Sequence, residues 1–263
     1  MQKLKKIITS QEIYKAIWNH IPDDHSRSQS IHCYIKQIFS KHPDITTILD
    51  LGCGEGDSVD LFGKVKADVI WYGVDIEGSP EVKKRLRKSD SIYSFDGVNL
   101  PHPDCYFDLI FCHQVLEHVR NPDSLIKDAF RVLKPNGFFV GSVSYMEPYH
   151  SYSIFNFTPY GIARVFGDAG FDVKEIRPGV DAWLLINRQL FNRSKILRPI
   201  WNHNFLYGIL GLIGSLFCLG QRERNFLKIQ FSGHLLFLAR RPDKEIRLGE
   251  PVAGGKIARI SGR

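Results

Sequence analysis

Three aspartates and three glycines carry most of the chemical information in this chain. The stretch Asp50-Leu51-Gly52-Cys53-Gly54-Glu55-Gly56 places three glycines within five positions. Such spacing lets a backbone approach a bound ligand and take turn angles that side chains forbid. Asp75 ends Tyr72-Gly73-Val74-Asp75, nineteen residues after Gly56, and its two oxygens can accept from both hydroxyls of a ribose. Asp96, in Asp96-Gly97-Val98-Asn99, adds a carboxylate able to accept from an adenine amino group, beside an apolar neighbour that packs on the ring. Each aspartate alone also reads as a strand-end residue capping a turn. Together with the glycines they outline an adenosine pocket.

A dinucleotide fingerprint G-x-G-x-x-G starting at Gly52 requires glycine at position 57, where the chain has Asp57. A carboxylate there sits badly beside a pyrophosphate, because both are anionic. A sulfonium cofactor carries no phosphate and meets no such conflict. An NAD-dependent oxidoreductase is therefore a disfavoured alternative.

These residues need elements to hold them. From residue 46 the chain alternates apolar, β-branched runs (TTILDLG, DVIWYGVD, SIYSFD, FDLIFCH, GFFVGSVSY) with helical stretches near 57–66, 80–88, 115–133 and 158–169. Runs apolar on both faces suit strands covered by helices on each side, hence a mostly parallel, doubly wound α/β sheet. Asn121 before Pro122 reads as an N-cap with proline at the first helical position. Gly137 reads as the stop before the fifth strand. In such sheets ligands bind beyond the carboxyl ends of the strands, where all three aspartates fall.

At this point ILDLGCGEGDS, YGVDI, FDGVNLPHPDCYFDLIFCHQVLEHV and RVLKPNGFFVGSV resemble, in order, the motifs of the class I S-adenosylmethionine-dependent methyltransferases of the small-molecule "type 11" group. The resemblance covers roughly residues 45–145 and is weaker over FTPYGIARVFGDAGFDVKEI. It implies a Rossmann-like, seven-stranded, mostly parallel sheet and S-adenosyl-L-methionine as cofactor. The implied cofactor-binding residues are Asp50, Gly52 and Gly54 around the amino-acid tail, Asp75 at the ribose, Asp96 near the adenine, and His113 and Gln114 on the methionyl side, with Cys53, Gly56, Ile76 and Gly97 also in the cofactor site. None of these motifs identifies the methyl acceptor.

Methyl transfer is an in-line displacement, in which alignment of the nucleophile and the methyl supplies much of the catalysis. A general base is needed only when the acceptor keeps its proton, as a hydroxyl does. His113, His150 and Tyr149 are the candidates for that work, the last two in the aromatic stretch 144–157, which leaves the fifth strand. After the fourth strand no Asn/Asp-Pro-Pro-aromatic turn follows, and no Pro-Cys dipeptide supplies a cytosine-attacking thiol. Some family members bind a divalent ion through Glu-x-x-Glu-His and a later histidine. Here Gln114 stands where the first glutamate would be, before Glu117 and His118, so no metal is expected.

The formal net charge of +7 is consistent with nucleic acid, membrane or an anionic substrate. The run Lys83, Lys84, Arg85, Arg87, Lys88 reads as a solvated helix face without the interleaved aromatics of a nucleic-acid platform. Five scattered cysteines without CxxC spacing argue against a disulfide framework and for a cytoplasmic location. With 43% hydrophobic residues the chain fits one core. We expect an N-terminal helical cap over 1–44, a methyltransferase domain over 45–241 with a helical insertion near 181–225, and a flexible tail over 242–263. IQFSGHLLFLARR reads as the seventh strand, antiparallel and at the sheet edge. Residues 205–219, from Phe205 to Leu219, are almost uninterruptedly apolar but too short for the ~20 residues that span a bilayer. They read as a buried or homodimer-forming helix, or as a membrane-surface element flanked by Arg188, Arg193, Lys195 and Arg198 before it and Arg222, Arg224 and Lys228 after. The expected function is methylation, preferably on oxygen, of a small-molecule or lipid- or saccharide-linked acceptor, rather than nucleic acid, by a cytoplasmic or membrane-peripheral enzyme. An inactive cofactor-binding partner subunit is the alternative from another class.

Overall fold

The computed structural model describes residues 11–87, 89–147 and 150–243. Tyr149, the end of the basic run at Lys88, and residues 244–263 of the expected tail lie outside the described residues. The elements in chain order are α1 (Gln11–Ile17), α2 (Ile31–Lys41), β1 (Thr47–Leu51), α3 (Ser58–Val65), β2 (Ile70–Asp75), α4 (Pro80–Lys84), β3 (Ile92–Ser94) and β4 (Phe107–His113). There follow α5 (Pro122–Val132), β5 (Leu133–Ser144), α6 (Pro159–Asp168), β6 (Asp172–Pro178), α7 (Ala182–Leu190), α8 (Arg198–Trp201), α9 (Phe205–Leu216), α10 (Gln221–Ile229) and β7 (His234–Arg240).

The seven strands form one sheet in the order β3-β2-β1-β4-β5-β7-β6. β1 to β5 are mutually parallel, and β7 runs antiparallel between β5 and β6. The last strand is therefore antiparallel as expected, but it is internal. The edges are β3 and β6, because β7 enters the gap that the β5-to-β6 crossover leaves open. A strand bonded on both sides accounts for LLFLA being buried throughout.

Alternating side chains divide the core between the two faces. Leu49, Leu51, Ile110 and Phe139 pack with α1, α5, α6 and α10 on one face. Ile48, Leu109, Phe111 and Val140 pack with α2 and α3 on the other. Each fully buried Leu, Ile or Phe contributes roughly 1.5–3 kcal/mol. Both N-terminal helices take part, Tyr14 and Ile17 of α1 on the first face, and Tyr34, Ile35 and Ile38 of α2 on the second.

Three local readings are corrected. α4 ends at Lys84 rather than near 88, because Arg85 turns extended and its side chain is used elsewhere. Asn121 occupies the N-cap position of α5 but makes no side-chain cap bond. The helix stops at Val132, and β5 begins at Leu133, before Gly137. The break is absorbed inside the strand, where Asn136 takes a positive φ of 64°.

Helix α9 is not a core helix: Phe205, Ile209, Leu212 and Leu216, one stripe at helical spacing, are exposed, and only Tyr207 and Gly214 are buried. Among the described residues no helix is long and apolar enough to cross a membrane.

Candidate active site

The glycine turn leaves β1 and enters α3 at the carboxyl edge of the sheet. Gly52, Gly54 and Gly56 all have positive φ, at 77°, 52° and 85°, where L-residues pay ~1–2 kcal/mol. At Gly52 space is equally decisive, since an added Cβ would stand 2.4 Å from Val115 Cγ2. The turn is fastened to β2, the Gly52 amide donating to the Val74 carbonyl at 2.8 Å and the Gly54 amide to Asp75 Oδ2 at 2.7 Å. Arg85 Nε donates to the Gly54 carbonyl at 2.7 Å, and a guanidinium NH2 lies 3.6 Å from Cys53 Sγ. One member of the run read as a solvated face is thus a clamp on the turn. Sequence spacing could not reveal it, because five closely spaced cations look alike until the backbone bends at one of them.

Asp50 is buried, accepts from Ser58 Oγ, and Ser58 Oγ in turn accepts from Trp71 Nε1 at 2.9 Å. Burial pushes the Asp50 carboxyl up to about 7 against the Ser58 hydrogen bond. Asp75 is also raised, by burial first, against the hydrogen bonds from Gly54 and Ile76. Ile76, at the tip of β2, is 45% exposed, and an added Cβ on Gly97 would lie 3.7 Å from its Cγ2. An exposed isoleucine beside Gly97 provides a flat apolar surface for a ring. Asp96 is fully solvated and holds its own loop, accepting from the Val98 and Asn99 amides and from Asn99 Nδ2 at 2.8, 2.6 and 2.6 Å. Those bonds, led by the Asn99 amide, lower its pKa.

His113 and Gln114 stand together after β4 on Ser142 of β5, whose Oγ lies 2.6 Å from His113 Nδ1 and 2.9 Å from Gln114 Nε2. His113 is exposed at the end of β4, yet protein surrounds much of the ring. Desolvation first, then His234, His32 and His150, lower its pKa to about 4, so it is neutral at pH 7. Gln114 takes a φ of 56°, a conformation that non-glycine residues hold mainly where surroundings force it. Its buried Oε1 has no partner among the described residues. A donor from a ligand's polar tail fits there.

Beyond the glycine turn the structure assembles a network around one of the sequence candidates, His150. His150 Nδ1 lies 2.9 Å from Glu147 Oε2, and its Nε2 is 3.6 Å from Glu117 Oε1. Glu147 also meets His234 Nε2 at 2.6 Å, Ser144 Oγ at 3.0 Å and Arg188 NH2 at 2.7 Å. Despite the desolvation that raises it, Glu147 is held well below the usual carboxylate range, chiefly by hydrogen bonds from His150 and His234. Burial pushes Glu117 up to about 7. His150 is raised, by the Glu147 hydrogen bond first. Glu147 and His234 were missed by sequence reasoning: β5 and β7 pair Ser144 opposite His234, a contact between residues ninety positions apart. Donor atoms of Glu117, His118 and His150, and separately those of Glu147, His150 and His234, lie within 4.8 Å of one another, a spacing that could hold a cation. Glu147 is already paired with Arg188 and in contact with two imidazoles.

Residues 49–141 match the family model described as "Methyltransferase domain". Over that stretch the chain is similar to methyltransferase domains, a likeness that implies S-adenosyl-L-methionine as cofactor. Over 139 residues, 49% of this chain and 52% of the relative, it is 28% identical to a Mycolicibacterium smegmatis protein assigned as an S-adenosylmethionine-dependent methyltransferase. Over 97 residues, 34% of this chain and 40% of the relative, it is 35% identical to a ubiquinone biosynthesis O-methyltransferase of Photobacterium profundum. The chain thus spans about half, or less, of the length of these curated relatives. In fold, the chain is similar to a solved Galdieria sulphuraria protein assigned as a sarcosine dimethylglycine methyltransferase, with a TM-score of 0.52, 14% identity, and coverage of 90% of this chain and 100% of that one.

Proposed function

We propose that this protein transfers the methyl group of S-adenosyl-L-methionine to a hydroxyl of a small-molecule or lipid-linked acceptor. The observation that carries the cofactor reading is the cradle at the ends of β1 and β2, where Gly52 leaves no room for a side chain, Gly54 is held at positive φ, and Asp75 faces the turn. Asp50 would neutralise the cofactor's ammonium group, Asp75 would accept from the ribose hydroxyls, Ile76 and Gly97 would flank the adenine, and Gln114 Oε1 would accept from the amino-acid tail. When bound, the cofactor supplies an electrophilic methyl on a cationic sulfur. The chain supplies alignment and a place for the acceptor's proton.

For that proton the His150–Glu117 pair is the best-placed recipient. Glu147 holds His150 Nδ1, and the 3.6 Å gap at Nε2 exceeds a hydrogen bond, leaving that nitrogen available to a hydroxyl. Burial raises the Glu117 carboxyl to about 7 and the Glu147 hydrogen bond raises His150, so both groups favour their protonated forms and suit a proton recipient. Oxygen as the acceptor atom also accords with the O-methyltransferase relatives. No metal is required on this reading, because Gln114 withholds an anionic ligand and Arg188 already neutralises Glu147.

The exposed stripe of α9, with Trp183, Ile186 and Leu190 exposed on α7, supports contact with an anionic membrane surface and acceptors taken from it. The deciding experiment is a screen of phenolic and lipid-linked hydroxyl acceptors with labelled cofactor, after calorimetry with S-adenosylhomocysteine. Turnover that survives exhaustive chelation and falls at least tenfold in His150→Gln, with homocysteine-nucleoside affinity unchanged, supports the mechanism. Tight NAD binding without binding of either sulfur nucleoside would overturn the cofactor assignment.

A further inference from the structure

A cavity of about 370 Å³ opens between α7 and α8, away from the glycine turn. Leu184, Leu185 and Trp201 give it an apolar side. Four cations, Arg188, Arg193, Lys195 and Arg198, also line it. Arg188 is bonded to Glu147, but Arg193, Lys195 and Arg198 meet no carboxylate among the described residues. Cations gathered in one concavity repel, and that cost is relieved by a bound anion.

The loop carrying them is shaped rather than loose. Asn192 and Arg193 take consecutive positive φ values of 47° and 55°, and the Arg193 amide closes on the Arg188 carbonyl at 2.8 Å. Trp201 Nε1 donates to the Ser194 carbonyl at 2.9 Å, tying α8 across the loop. Two adjacent non-glycine residues in the left-handed region cost free energy and persist where the surroundings determine them.

The cavity also shares a residue with the proton network. His234 lines it and bonds Glu147, which holds His150 Nδ1. We propose that this cavity binds a phosphate-type anion carried by the acceptor, with the acceptor's apolar part against Leu184, Leu185 and Trp201. Guanidinium forks match phosphate oxygens bidentately, and three uncompensated cations suit a phosphate or pyrophosphate better than a single carboxylate. Bound there, the acceptor reaches toward His150 past His234. The identity of the ligand as acceptor rests on the methyl-transfer reading; its anion chemistry does not.

The test is calorimetry on the full chain with inorganic pyrophosphate, with a short-chain phosphatidic acid below its micelle-forming concentration, and separately with S-adenosylhomocysteine. We expect pyrophosphate to bind, and the Arg193→Ala/Arg198→Ala double variant to weaken it by roughly tenfold or more with S-adenosylhomocysteine affinity unchanged. Tighter phosphatidate than pyrophosphate binding, lost in the same variant, assigns a lipid-borne phosphate; the reverse order assigns a soluble phosphorylated acceptor. Absent pyrophosphate binding, or equal affinity in the variant, overturns the proposal. Should the double variant not fold, Arg198→Gln alone serves the same comparison. Pyrophosphate binding without S-adenosylhomocysteine binding would leave the anion site standing and remove the methyl-transfer reading.

Discussion

Asp75 Oδ2 holds the Gly54 amide at 2.7 Å, so the carboxylate at the end of β2 both shapes the glycine turn and faces the space where a ribose would lie. Its other oxygen accepts from its neighbour's amide, Ile76, at 2.7 Å. Each oxygen keeps lone-pair capacity for a ligand hydroxyl. Asp75→Ala should weaken S-adenosylhomocysteine binding by about 1–3 kcal/mol, the usual loss for hydrogen bonds to a charged group. Calorimetry decides it, and an unchanged dissociation constant would remove Asp75 from the site.

Gly52 is constrained twice, by φ and by Val115. Gly52→Ala should destabilise the fold by roughly 1–3 kcal/mol, from left-handed strain and the overlap together. Adding Val115→Ala should recover the steric share only. Denaturant unfolding of the three variants checks this; full recovery in the double variant would show that φ at position 52 costs nothing.

The two glutamates of the network titrate in opposite senses. Glu117 is raised to about 7, so between its unfolded pKa near 4.5 and pH 7 the folded state binds more protons than the unfolded one. Its contribution to stability therefore falls as pH rises through that window. Glu147 is depressed, so its contribution is present above the unfolded value and lost as pH falls toward the folded one. Glu117→Gln should consequently gain stability relative to wild type between pH 5 and pH 8, in melting curves recorded across that range. A constant difference in melting temperature would show that Glu117 is not shifted.

Cofactor binding should carry a proton signature at Asp50. A ligand ammonium favours the ionised form of a carboxyl raised to about 7, so affinity should rise with pH through neutrality with proton release. Calorimetry in buffers of differing ionisation enthalpy measures it, and Asp50→Asn should abolish it. Equal proton counts for the two proteins would place the ammonium elsewhere.

Leu212 and Leu216 are 72% and 76% exposed, so Leu212→Asp/Leu216→Asp should leave stability nearly unchanged while reducing flotation with anionic vesicles. Added salt should weaken the wild-type binding by screening nearby cations. The cations following α9 do not serve this role, since Arg222 pairs with Asp23, Arg224 bonds the Leu219 carbonyl and Lys228 bonds the Ser26 carbonyl. A wild-type protein that stays unbound at low salt, and dimerises through the same leucines, would make the stripe a subunit interface.

The sequence by itself determined the βα alternation, the glycine turn and the aspartates after three successive strands, because these depend on local periodicity, φ restrictions and fixed offsets along one chain. The positions of Asp50, Asp75 and Gln114 at the carboxyl ends of strands were legible for that reason. The place of β7 inside the sheet, the recruitment of Arg85 from a run of cations, and the exposure of α9 were not. Neither was the meeting of Glu147, His150 and His234. Those depend on which distant segments become neighbours: His234 reaches Glu147 because an antiparallel β7 slots beside β5, and no spacing along the chain encodes that adjacency. The cationic cavity is decided in the same way, by a turn at Asn192–Arg193 that folds four basic residues toward a single apolar floor.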